Sequence, residues 1–113
     1  MQNGVKSKKY SIIKKKNKIM NTEERIELYK RAINAWGTEP QIKMVMEETG
    51  EMLSALAKHG RNRSTNEEVI TELVDVWILM EQKAVNFGYE EFEKEKEYKL
   101  QRLKERLDKN KSL

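Results

Sequence analysis

Two groups of carboxylates stand where chemistry is possible. Glu47, Glu48 and Glu51 form an E-E-x-x-E pattern; after twenty intervening residues, Glu72 and Asp75 form E-x-x-D. Acids three apart on a helix point from neighbouring turns of one face. Between Val69 and Met80, nine of twelve residues are apolar, so Glu72 and Asp75 occupy places where the pattern asks for leucine. Glu48 falls inside the apolar arc of its own segment, between Ala55 and Met52, with Glu51 at the arc's edge and Glu47 toward the polar side. Burying a bare carboxylate is costly, and several brought together repel one another. Protonation, a Lys or Arg partner, or a bound cation relieves that cost. Lys43 and Lys58 lie across the helix from Glu48, and Lys83 is two turns beyond Asp75, so a divalent cation is the simplest remedy. All-oxygen ligation suits Mg²⁺ or Mn²⁺ rather than Zn²⁺. Mg²⁺ commonly shares its shell with substrate phosphates, which points to a phosphate-bearing ligand.

The elements that must carry these acids are helices. The chain has 113 residues, enough for one domain with one modest core. With 1 Pro and 5 Gly, a turn-rich β sandwich is disfavoured. With 0 Cys, disulfides, thiolate metal sites and cysteine nucleophiles are excluded. The longest apolar run, Val76 to Met80, is far short of the roughly 20 residues a membrane span needs. These features predict a soluble, cytoplasmic, all-α domain that makes no use of a membrane.

Glycines divide the chain into four helices. Asn21 or Thr22 caps the first, whose apolar stripe is Ile26, Tyr29, Ile33 and Trp36 and whose stop is Gly37. Thr38 and Gln41 have capping-box spacing for a second helix, with Pro40 in its first turn and an end at about His59. Ser64/Glu67 or Thr65/Glu68 opens a third helix, which ends near Gly88. It is apolar all round, so burial from more than one side is expected. A fourth runs from about Tyr89 to Asp108 with a narrow seam of Leu100, Leu103 and Leu107, and residues 110–113 should fray.

Seven lysines precede Met20 with no acid among them. Taking those seven from the 23 Lys+Arg leaves 16 against 19 acids, so the overall +4 becomes −3 on the remainder. Residues 1–20 are therefore expected to be a disordered basic tail, or an over-extended start before Met20, and residues 21–109 the domain. A nucleic-acid surface on the folded part loses its electrostatic support.

The two acidic motifs, in this order and spacing, resemble those of the MazG-like all-α nucleoside triphosphate pyrophosphohydrolase superfamily. Trp36-Gly37, Gln41 and the Lys99-to-Leu103 run agree, and the resemblance spans about residues 21–108. It implies a four-helix MazG-like bundle completed by homo-oligomerisation, as a homodimer or tetramer. It also implies hydrolysis of the α–β phosphoanhydride of a nucleoside triphosphate to monophosphate and pyrophosphate, in nucleotide-pool house-cleaning. Mg²⁺, with Mn²⁺ as a substitute, would be held by Glu48, Glu51, Glu72 and Asp75. Glu47 would help orient metal or water, and Glu48 or Glu51 would activate the water. Cationic side chains should bind the remaining phosphate oxygens: Lys99 and Arg102 first, then Lys58, Arg61 and Arg63. Trp36 is the candidate for stacking on the base, whereas His59 reads as a helix-terminal cation rather than a catalytic base. Two rivals stand beside this reading. One is a phosphoribosyl-ATP pyrophosphohydrolase of the same superfamily; the other is a non-enzymatic helical interaction module whose basic tail touches nucleic acid.

Overall fold

The computed structural model describes residues 19–112, and all four of its elements are helices: α1 Thr22–Trp36, α2 Glu39–Gly60, α3 Asn66–Phe87 and α4 Tyr89–Ser112. The expected basic tail lies outside the described residues up to position 18.

Local chemistry sets most of the boundaries. The Asn21 side chain accepts from the Glu24 N–H at 2.8 Å, and the Glu24 carboxylate accepts from the Asn21 N–H at 2.9 Å, which closes a capping box on α1. Gly37, at φ +83°, ends α1 by donating its N–H to Ile33 O. Thr38 does not cap α2. Its backbone is already helical, at φ −91° and ψ −29°, so its hydroxyl makes no capping hydrogen bond. Of the two starts considered for α3, the Thr65/Glu68 box forms, with reciprocal bonds of 3.1 and 2.7 Å. α3 and α4 are separated by Gly88 alone, at φ +137°. An L side chain is strained at that backbone angle, so the sharp joint depends on glycine. α4 outruns its expected end and continues to Ser112; an ion pair of 3.0 Å between Lys104 and Asp108 supports its last turns.

α3 is the hub. It packs antiparallel against α2 along most of its length, then against α1 and the beginning of α4. The buried apolar residues are Tyr29, Ala55, Val76, Leu79 and Ala84, and no described side chain is fully sealed from solvent. The expected burial of α3 on several sides is met in part. Val76, Leu79, Glu81 and Ala84 are buried toward the end that α1 and α4 reach, while Ile70, Leu73, Val74, Trp77 and Ile78 remain exposed. From Lys94 to Asn110 every residue of α4 is exposed. The radius of gyration is 17.3 Å, against about 13 Å for a compact domain of this size. α4 overhangs the bundle.

One buried polar group ties three helices together. Glu81 of α3, 6 % exposed, receives Arg25 Nε at 3.0 Å and Tyr29 O–H at 2.7 Å from α1, and Tyr89 O–H at 3.4 Å from α4. Burial alone would push the Glu81 carboxyl up, but the Arg25 and Tyr29 donors outweigh it and hold it below its ordinary value. Burial and the Glu81 carboxylate together push the Tyr29 phenol well above its ordinary value.

Candidate metal centre

The acids predicted from the sequence converge halfway along the α2–α3 pair. One carboxylate oxygen from each of Glu48, Glu51 and Glu72 lies within 4.8 Å of the other two. Glu48 and Glu72 are half-buried, and Glu51 is exposed at the mouth. Asp75, also half-buried, is close enough for its charge to act on Glu48. Glu47 is exposed and stands outside the converging group.

The antiparallel register brings the two motifs face to face. At one end of the helix pair the Gln41 amide donates to Gln82, and at the other His59 Nε2 lies 2.7 Å from Asn66 Oδ1. Glu48 and Asp75 fall between these ties, a distance of two turns from Gln41. Because acids three apart share a face, fixing one pair in this register fixes the other.

Electrostatics mark Glu48 as the strained member. Its carboxyl is raised from an ordinary 4.5 to about 7. The largest cause is a carboxyl–carboxyl hydrogen bond with Glu51, which requires a proton between them; burial and the charges of Glu51, Asp75 and Glu72 add to it. Glu48 Oε2 is also buried without a hydrogen-bond partner. Glu81, two turns beyond Asp75 on the same helix, shows the contrast: given Arg25 and two phenols, a buried acid is held ionised. The cluster has acids of one sign, an orphaned buried oxygen and an all-oxygen donor set. Those residues fit a hard divalent cation.

A pocket of about 350 Å³ opens beside the cluster, lined by Glu51, Glu68 and Glu72 together with Ser54, Ser64, Lys58 and Arg63; Lys58, expected across the helix from Glu48, stands on the cluster's side because it is two turns from Glu51. The α2–α3 turn builds its basic edge: the Arg61 and Arg63 N–H groups both donate to Lys58 O, at 3.0 and 2.7 Å, with Asn62 between them in the left-handed region at φ 59°. Arg61 is exposed and does not line the pocket. Neither do Lys99 and Arg102, which lie on the overhanging half of α4. Lys99 Nζ is 3.8 Å from Glu95, and Arg102 stacks over Tyr98 at 5.7 Å. Trp36 ends α1 and is 69 % exposed. His59 is exposed and engaged with Asn66, as a helix-end residue.

Sequence reasoning passed over Glu81. A signal was present, since Glu81 falls four residues after Trp77 and three before Ala84 in an apolar helix, while Arg25 and Tyr29 are one turn apart on α1. No family model, curated protein or solved structure matches the chain.

Proposed function

We propose that the chain is a Mg²⁺-dependent nucleoside triphosphate pyrophosphohydrolase of the MazG-like kind, acting in the cytoplasm on surplus or aberrant nucleotides. The observation that carries this reading is the convergence of Glu48, Glu51 and Glu72, from two helices, on one space beside a pocket that Lys58 and Arg63 also line. Glu48, Glu51, Glu72 and Asp75 would hold the ion. When bound, it supplies neutralisation of phosphate charge and a water of lowered pKa. The chain's own groups divide the remaining work. Lys58 and Arg63 neutralise phosphate oxygens at the pocket's far side, a place the sequence reading gave first to Lys99 and Arg102. Ser54 and Ser64 offer hydroxyl donors there. Activation of the attacking water falls to Glu48 or Glu51, whose carboxylates meet at the cluster. Glu47 orients groups from the solvent side, and Trp36 offers an exposed ring for the base.

The reading includes a homo-oligomer, dimer or tetramer, because Ile70, Leu73, Val74, Trp77 and Ile78 together leave too much of α3 open for a lone chain. Product analysis on a panel of NTPs and dNTPs with Mg²⁺, beside Glu72→Gln, tests the chemistry. Monophosphate plus pyrophosphate, lost with EDTA and in the variant, is expected. Diphosphate plus inorganic phosphate would refute the proposed bond. No turnover of these or of phosphoribosyl-ATP by the folded protein would refute the enzyme.

A further inference from the structure

α4 carries one apolar stripe, and the chain itself uses only the first half. Tyr89 and Phe92, with ring centroids 6.0 Å apart, are half-buried near the end of α3. The same face continues as Leu100, Leu103 and Leu107, each 52 to 53 % exposed. Spacings of eight, three and four residues keep these leucines in line with Phe92. The helix does not end where its contacts end, so the unused half is a preformed apolar seam.

Charge on α4 is divided at the same point. From Tyr89 to Tyr98 five glutamates stand against two lysines, a net of −3; from Lys99 to Lys109 five basic residues stand against two acids, a net of +3. A helix with halves of opposite sign attracts an antiparallel copy of itself and repels a parallel one. Beside the acidic half lies an apolar groove of about 480 Å³, with Val45, Met80, Phe87 and Phe92 in its lining, Lys83 over Phe87 on its α3 side, and Glu91 and Glu95 along its α4 edge. Phe87 is 81 % exposed there. Apolar floor and acidic edge match the apolar seam and basic flanks of the other half.

We propose that α4 is a self-association surface: two copies of the chain pair antiparallel through it, the leucine seam of each seated in the groove beside the other's acidic half. The proposal rests on the homo-oligomer part of the reading above and not on its chemistry. Two-fold symmetry satisfies both halves at once, since the −3 segment of each copy meets the +3 segment of the other. A polyanionic partner would engage the basic half alone and be repelled by the remainder.

The test uses the full chain and light scattering coupled to gel filtration. Glu91→Lys, Glu95→Lys and Glu97→Lys together turn the acidic half to +3; Lys104→Glu, Arg106→Glu and Lys109→Glu together turn the basic half to −3. Each triple variant sets like charge against like, and should self-associate at least tenfold more weakly with unchanged helix content by circular dichroism. Mixed in equal amounts, the two variants are complementary again, and the larger assembly should return as a mixed species. Variants that keep the wild-type mass, or a mixture that stays dissociated, would overturn the α4 pairing while leaving the homo-oligomer standing. A monomeric wild type would overturn both.

Discussion

Substituting Glu48 by glutamine should make the metal-free protein more stable at neutral pH, the reverse of what most changes at a half-buried position do. The Glu48 carboxyl goes from 4.5 to about 7 on folding. Between those values the native state holds a proton that the unfolded chain has released, so stability falls as pH rises through this window and levels off above it. A tenfold change in proton affinity is worth about 1.4 kcal/mol, which sets a ceiling of roughly 3 kcal/mol. Solvent at the open mouth beside Glu51 screens part of it, leaving about 1–2 kcal/mol. Glu48→Gln keeps the shape and removes the charge. In EDTA at pH 8 its melting temperature should exceed wild type by at least about 4 °C at equal protein concentration. The difference should shrink toward zero near pH 4.5. Mg²⁺ should raise the melting temperature of the wild type and have much less effect on the variant. Thermal scans at pH 4.5, 6, 7 and 8, with and without Mg²⁺, measure all of this. A Glu48→Gln protein less stable than wild type at pH 8 in EDTA would refute the argument that these acids repel without a cation.

Removing Glu81 acts in the opposite sense: Glu81→Ala leaves Arg25 and Tyr29 without their acceptor and should cost about 3–5 kcal/mol in urea denaturation at pH 7. Because Glu81 is held below its ordinary value, its stabilisation is present above that value and is lost as pH falls through the lowered one, so the variant should also lose part of the wild type's acid sensitivity. Thr65→Ala opens the capping box of α3 and should cost about 1 kcal/mol in the same assay, whereas Thr38→Ala, at a residue that makes no capping bond, should cost much less. Lys58→Ala and Arg63→Ala should each raise KM for a nucleoside triphosphate about tenfold, with melting temperature within a degree or two of wild type; an unchanged KM in both would remove this pocket from the phosphate path.

Periodicity made the fold legible because a helix repeats its demand every turn. Four helices, a start at Asn21 or Thr22 and the Gly37 and Gly88 breaks all follow from spacing. The Glu48, Glu51 and Glu72 convergence was legible for the same reason, since polar residues inside an apolar arc have to meet something. What escaped depends on three-dimensional neighbours. Thr38 carries the residue type of a cap, but its backbone turns helical directly after Gly37. Glu81 needs Arg25, a residue 56 positions away, and the local spacing that marks each of them does not say that they meet. Sequence placed Lys99 and Arg102 ahead of Lys58, Arg61 and Arg63, because only the turn at Asn62, invisible in spacing, sets Lys58 and Arg63 beside Glu51 and Glu72.

The distance along the chain between Arg25 and Glu81 also has a meaning in time. During synthesis α1 emerges well before the residue that anchors it, and the 56 positions between them take about 3–11 s to be added at ordinary elongation rates. α2 and α3, joined by a short turn, can close on each other as soon as both exist, but α1 has to wait for Glu81 at the far end of that hairpin. Its apolar stripe is guarded meanwhile by its own composition: Glu23, Glu24, Arg25 and Glu27 crowd the first turns, and the Asn21–Glu24 box lets the helix start without help from elsewhere. The first helix of the described chain thus docks well after it is made, and the residue that receives it also receives the start of the helix that reaches outward.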